Sequence, residues 1–152
     1  MLDNNKIKST KTKEEKALSV KIDVVFQLLF GEIGSENITK DLLEIILDRK
    51  IEEVDLSKNL ILRKDALKGK MGILDVLAKI NGQEKVNIEM QVIEKADMIE
   101  RILFYWSKLY TRDIREGEKY QKLENTIIIL FTDYKISEFT ELPYHSRWKI
   151  KQ

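Results

Sequence analysis

Apolar and polar side chains alternate along two neighbouring stretches of this chain, Gly72–Ile80 and Lys85–Ile93, with Asn81-Gly82 between them. A period of two predicts strands, and the Asn-Gly pair predicts that they form a β-hairpin. Leu74, Val76, Ala78 and Ile80 share one face of the first strand, and Val86, Ile88, Met90 and Val92 share one face of the second. Directly opposed residues point the same way, so both apolar rows cover one core only if paired residue numbers add to an even total. A two-residue turn pairing Ile80 with Gln83 fails that condition. A three-residue loop, Ile80-Asn81-Gly82 with Gly82 left-handed, meets it by pairing Lys79 with Gln83. The other face then carries Asp75, Asn87, Glu89 and Gln91, with Asp75 opposite Asn87 and one diagonal step from Glu89.

The flanking segments predict an α/β module. Dense apolar residues from Leu18 to Phe30, punctuated by Gly31 and Gly34, predict a first helix. Asn37 is a candidate cap for a second helix to about Arg49, with Ile38, Leu42, Leu43, Ile45 and Ile46 as its buried stripe. Ile51–Leu56 reads as a short strand, and the isoleucine-rich Thr126–Phe131 as a buried strand beside the hairpin. Between them, Glu94 to Glu116 predicts a long helix ended by Gly117. On a helical wheel Ile99, Ile102, Leu103, Trp106, Leu109 and Tyr110 make one broad apolar face. Arg101, Lys108, Arg112 and Arg115 form a narrow stripe opposite, with Tyr105 near it. Such a stripe could follow a phosphate backbone, and a solvated basic face is the plainer account. Trp106 and Tyr110 belong to the core by this reading rather than to a base-stacking surface.

Charged groups inside strands cost free energy unless they have a partner or a task. Asp75 and Glu89 on one surface suit a hard divalent cation, since magnesium takes one or two protein carboxylates and keeps waters that can be activated. Gln91 could position such a water or a phosphate oxygen but carries no positive charge. A solvated polar strand face accounts for the same pattern. Asp23, on the first helix, reads as a surface or capping carboxylate unless the fold brings it to the acids.

Three segments together resemble a known family: Lys21-Ile-Asp-Val-Val-Phe-Gln-Leu-Leu-Phe-Gly31, Gly72-Ile-Leu-Asp75-Val-Leu-Ala-Lys79, and Val86-Asn-Ile-Glu89-Met-Gln91. The family is that of the PD-(D/E)XK nuclease family transposases, also called recombination-promoting nucleases. Tyr105-Trp-Ser-Lys-Leu-Tyr110 and Gly117-Glu-Lys-Tyr120, with the strand that follows, extend the likeness over about residues 20–131. The resemblance implies a restriction-endonuclease-like core, a mixed sheet flanked by helices, with Mg2+ or Mn2+ held by acids on a hairpin. It makes Asp75 the first metal-binding acid and Glu89 the second, with the Met90 carbonyl as a further ligand and Asp23 as a metal or supporting residue. Gln91 falls where the wider superfamily has a lysine, as in many members of this family. Arg101, one turn into the helix after the glutamate strand, is the candidate to supply part of the missing charge.

With 43% hydrophobic and 35% charged residues in 152, the chain is composed as a globular domain. Its 27 basic and 26 acidic residues leave a net charge of +1, so DNA affinity must come from local patches. Residues 1–17 read as a flexible lysine-rich leader, 18–131 as the nuclease-like domain, and 132–152 as a shortened continuation. Without cysteine, disulfides and thiolate zinc sites are excluded, and a single histidine, His145, makes no histidine centre. No apolar run spans a bilayer or resembles a signal peptide, so the expected location is the cytoplasm. The preferred reading is a magnesium-dependent DNA endonuclease domain of a transposase-like protein, with DNA as partner and room for a homo-oligomer. The rival is a non-catalytic nucleic-acid-binding or protein-interaction remnant that keeps the fold.

Overall fold

The computed structural model describes residues 18–56, 75–136, 141 and 144–147. The expected leader, the Gly72–Leu74 start of the first hairpin strand, and Pro143 and Trp148 near the C-terminus lie outside those residues. Among the described residues three helices and four strands follow in the order α1 (Asp23–Phe30), α2 (Glu36–Leu47), β1 (Val54–Asp55), β2 (Val76–Ile80), β3 (Glu84–Gln91), α3 (Met98–Thr111) and β4 (Asn125–Thr132). A 3-10 turn, Tyr120–Lys122, precedes β4. The sheet order is β1-β2-β3-β4, antiparallel across the first two pairings and parallel between β3 and β4. That parallel pairing requires a crossover, and α3 is the crossover helix.

The two faces of the sheet separate as the alternation requires. Val76, Ala78, Ile80, Val86, Ile88 and Ile129 form the core with Phe26 of α1 and Leu43 of α2. Leu77, Lys85, Asn87 and Glu89 occupy the other face, and they too are buried. The polar row is therefore no solvated strand face. It lies under α3, whose Trp106 Nε1 donates to the Thr126 carbonyl at 2.9 Å and whose Leu109 carbonyl accepts from Lys85 Nζ at 3.2 Å.

Parity in the hairpin is as the apolar rows demand, but the register is shifted. Ile80 pairs with Glu84, Lys79 with Lys85 and Leu77 with Asn87, rather than Lys79 with Gln83. Asn81 and Gly82 both have positive φ, 48° and 65°, and Gln83 N–H donates back to the Ile80 carbonyl at 3.0 Å. The tight turn is thus Asn81-Gly82, and Gln83 is the extra residue that keeps both apolar rows on one side. The Asn81 side chain holds this tip to the chain before β1, its Oδ1 accepting from the Glu52 and Glu53 amides at 3.0 Å each.

α1 and α3 are shorter than expected, α2 is shifted by about two residues, and α2 and α3 are rotated. α1 begins at Asp23 rather than Leu18, and α2 begins at Glu36 after Ser35 rather than at an Asn37 cap. In α2 the buried positions are Thr39 and Leu43, with Leu42, Ile46 and Leu47 packed beside them, while Ile38 and Ile45 face solvent. The Thr39 hydroxyl donates to the Phe30 carbonyl at 2.6 Å, joining α2 to the end of α1. Only Val54 and Asp55 of the expected Ile51–Leu56 strand join the ladder, although Ile51 and Leu56 are each 2% exposed.

α3 is the larger correction. It spans Met98–Thr111, so Gly117 does not end it. Met98 and Leu109 are buried, Leu103 is 59% exposed and Phe104 41%. Arg101, Ile102, Tyr105 and Arg112 are half-buried, at the three- and four-residue intervals of one helical face. The expected outer basic stripe is thus divided. Arg101 and Arg112 turn inward, Lys108 stays outside with its Nζ 5.6 Å from the Phe104 ring centroid, and Arg115 sits in the turn beyond the helix. Trp106 and Tyr110 do pack, stacked at 4.8 Å between ring centroids. Arg101 and Arg112 face inward because the sheet surface beneath them carries charge.

Candidate metal and phosphate site

The hairpin register decides what meets what. Carried one residue past Val76↔Ile88, it sets Asp75 across from Glu89 rather than Asn87. Asp75 Oδ2 accepts from the Met90 N–H at 2.8 Å, and Glu89 accepts a hydrogen bond from the Asp75 backbone. The two carboxylates are therefore directly opposed neighbours, closer than the diagonal placement expected. Asn87, one step along the same face of β3, donates Nδ2 to Glu89 Oε1 at 2.7 Å.

Burial governs the electrostatics. Removal from water pushes the Glu89 carboxyl up from 4.5 to about 7; Asn87 and, more weakly, Arg101 favour its charge, and Asp75 opposes it. Asp75 is raised by burial and by Asp23, against the Met90 amide and a hydrogen bond from the Gln27 side chain. Asp23 is thus near enough to act on Asp75. It does not complete a cluster, for among the described residues no three His, Cys, Asp or Glu side chains come together as a metal-holding group.

Gln27 was not singled out in the sequence, yet it reaches Asp75 from α1. Its signal was available: Asp23 and Gln27 are four residues apart on a helix and share a face. Gly31, at the end of that helix, allows the close approach. A Cβ there would lie 3.0 Å from the Gln27 carbonyl, 3.2 Å from Val76 Cγ2 and 3.6 Å from the Asp75 carbonyl. Gly31→Ala is expected to lower stability by about 1–2 kcal/mol by forcing α1 and the hairpin apart. A denaturant midpoint unchanged from wild type would show that the contact yields without cost.

On the α3 side, Arg101 Nη2 donates to the Tyr105 hydroxyl at 3.0 Å, and its guanidinium lies 5.6 Å from that ring's centroid. Arg101 is placed to act on Glu89, as the replacement for a missing lysine would need. Gln91 is half-buried, two residues beyond Glu89 on the same face. Arg112 is drawn away to the opposite end of the polar face. There an open cleft of about 400 Å³ is lined by Lys79, Lys85, Arg112, Asp55, Asp113 and Glu124. Lys85 pairs with Asp113 at 2.7 Å and Lys79 with Glu124 at 2.6 Å, so the charges in that cleft are largely matched.

The donor set fits a hard cation. Two adjacent carboxylates, each penalised as a bare buried anion, would be relieved by a bound divalent ion, and the buried Asn87 Oδ1 has no hydrogen-bond partner. An α/β/α sandwich with an acid pair on a central hairpin is the arrangement of a PD-(D/E)XK restriction-endonuclease-like domain. The family model for the PD-(D/E)XK nuclease family transposases matches residues 20–152, and the chain belongs to that family. The match continues to Gln152, past residue 131 where the likeness read from motifs ends. Neither the curated proteins nor the solved structures yielded a match. Family membership implies DNA as substrate and a fold that generally uses divalent metals. Among the described residues no helix is long and apolar enough to cross a membrane.

Proposed function

We propose that this chain is a magnesium-dependent DNA endonuclease domain of a transposase-like protein, working in the cytoplasm. The observation that carries the reading is the direct opposition of Asp75, half-buried, and Glu89, buried, both raised by their removal from water, on the hairpin of a nuclease-family fold. Asp75 and Glu89 would hold Mg2+ or Mn2+, with the Met90 carbonyl as a third oxygen. The ion would polarise a phosphoryl oxygen and supply hydroxide near neutral pH.

The remaining work falls to the protein. Gln27 and the Met90 amide hold the Asp75 carboxylate in place, and Asn87 holds Glu89. Asp23 contributes negative charge behind Asp75. Gln91 orients the attacking water or the scissile phosphate through its amide. Arg101, kept in place by Tyr105, provides the positive charge that a lysine at position 91 would provide in the wider superfamily. Lys108 and Arg115, both exposed, extend the phosphate contacts outward. Attack by water on phosphorus gives hydrolysis without a covalent enzyme intermediate.

The rival, a non-catalytic remnant that binds nucleic acid or protein, draws on the lack of a three-residue ligand cluster among the described residues. Nicking of supercoiled plasmid separates the two. The nuclease reading expects magnesium- or manganese-dependent conversion to open circles that stops with chelator. A folded protein that nicks with neither metal but retards DNA in chelator would establish the rival.

A further inference from the structure

β4 is the long edge of the sheet. It pairs with β3 along eight residues, Asn125–Thr132, and among the described residues no strand pairs with its other side. The opposite edge, β1, has only two residues. The Asp133 N–H donates to the Gln91 carbonyl at 3.2 Å, so odd-numbered residues of β4 present their backbone groups to β3 and even-numbered ones present theirs outward. Trp106 takes one outward group, the Thr126 carbonyl. The N–H and C=O groups of Ile128, Leu130 and Thr132 face away from β3, on residues that are half-exposed. Edge strands are guarded by charge, proline, bulges or brevity, and Asn125-Thr-Ile-Ile-Ile-Leu-Phe-Thr132, paired to β3 without interruption, has none of these.

We infer that β4 pairs antiparallel with β4 of a second copy of this chain, about a twofold axis at Leu130. In that register Leu130 meets Leu130, and Ile128 meets Thr132 of the other copy, so the outward N–H and C=O groups of all three residues find partners in six hydrogen bonds. Ile129 falls opposite Phe131, a β-branched and aromatic pair. The strand carries no charge, so identical copies meet without repulsion. The rest of the chain is poorly suited to fill this edge. Residues 57–74 leave β1 and enter β2, on the other side of the sheet. The chain past Ile136 leads to Arg147, whose Nη2 donates to the Ile46 carbonyl of α2, and α2 packs beside β1. Residues 1–17 are polar and lysine-rich, where a partner for isoleucine and leucine needs apolar side chains. The dimer has one continuous sheet, with Glu89 beside Leu130 in each copy and the two Glu89 positions on the same face, three strand spacings or roughly 14 Å apart.

Sedimentation equilibrium of the full chain at about 1–100 μM tests the pairing. The wild type should show twice the chain mass. Thr132→Pro removes an N–H that β3 does not use, so the monomer should keep its fold while dimerisation weakens roughly 10- to 100-fold, two of the six bonds being lost. Leu130→Cys gives a chain without cysteine its single thiol, at the twofold axis, and a short bismaleimide should join it to its copy. Tyr120→Cys, at an exposed position before the strand, should not be joined. A wild type that stays monomeric throughout overturns the inference. So does a dimer that folded Thr132→Pro leaves as tight, one that is lost when residues 1–17 are removed, or one that Leu130→Cys fails to cross-link, and this last arm decides if Thr132→Pro does not fold. The pairing stands apart from the nuclease reading: a cross-linked dimer that never nicks plasmid keeps it, and a nicking monomer overturns it alone.

Discussion

Asp75→Asn is expected to remove magnesium-dependent nicking by roughly 10³-fold or more while leaving the fold intact. An asparagine at 75 keeps an oxygen to accept from the Met90 amide, so the bond at 2.8 Å that ties the strand entry to β3 can persist. What it loses is the anionic ligand. Removing one of two carboxylates from an oxygen site withdraws several kcal/mol of cation binding and of charge stabilisation on the reacting phosphate. Burial helps to preserve the fold, since a neutral amide is easier to bury than the carboxylate it replaces. Plasmid nicking over a magnesium series, with circular dichroism as the folding control, decides the matter. Nicking by the variant at the wild-type rate would mean that the chemistry lies elsewhere.

Glu89→Gln should do something less usual: abolish cleavage and stabilise the metal-free protein. Glu89 is 2% exposed, and its carboxyl is held near 7 in the fold against 4.5 when unfolded. The folded state therefore binds the extra proton between those values. The stability tied to it is complete below about 4.5 and is lost as pH rises through about 7. Above that, the metal-free fold carries a buried anion at a cost of up to roughly 3 kcal/mol. Glutamine carries no such cost. In chelator at pH 8.5 the variant should melt about 5–10 °C above wild type, and at pH 4.5 the two should coincide. Equal melting temperatures at both pH values would show that Glu89 is solvated. Excess magnesium should narrow the gap by stabilising only the wild type, since binding to the native state shifts its unfolding equilibrium.

These two variants bear on the acids from different sides. The first reads what a cation needs, and the second reads what the protein forgoes to keep a carboxylate under a helix. A residue that lowers the stability of its own fold is retained for a task, or its burial is relieved by a ligand. Asn87 makes the same point more mildly, fully buried with one bond to Glu89 and an oxygen that has no partner.

The hairpin, the isoleucine-rich strand and the acid-bearing face were legible because period-two alternation survives in a single sequence. Val76, Ala78, Ile80, Val86 and Ile88 all reach the core, as their alternation requires. Parity was legible for the same reason, but register was not. Registers differing by two give the same faces, and the choice between them lay in Asn81, whose left-handed backbone and contacts to Glu52 and Glu53 set the turn. That choice moved Asp75 from Asn87 to Glu89.

Helix rotation was the other unreadable quantity. Ile38 and Ile45 of α2, and Leu103 of α3, were expected inside and are exposed. A helical wheel assumes that the buried face is the apolar one. In α3 the surface beneath is charged, so Arg101 and Tyr105 turn inward where a wheel sends them to water. From the sequence alone came the strands, the face on which two carboxylates lie, and the family to which their spacing points, because local alternation and motif order do not depend on distant contacts. Only the tertiary structure brought Gln27 to Asp75 and Arg101 to Glu89, because their approach depends on how α1 and α3 pack across a sheet, and packing partners far apart in sequence leave no periodic trace in it.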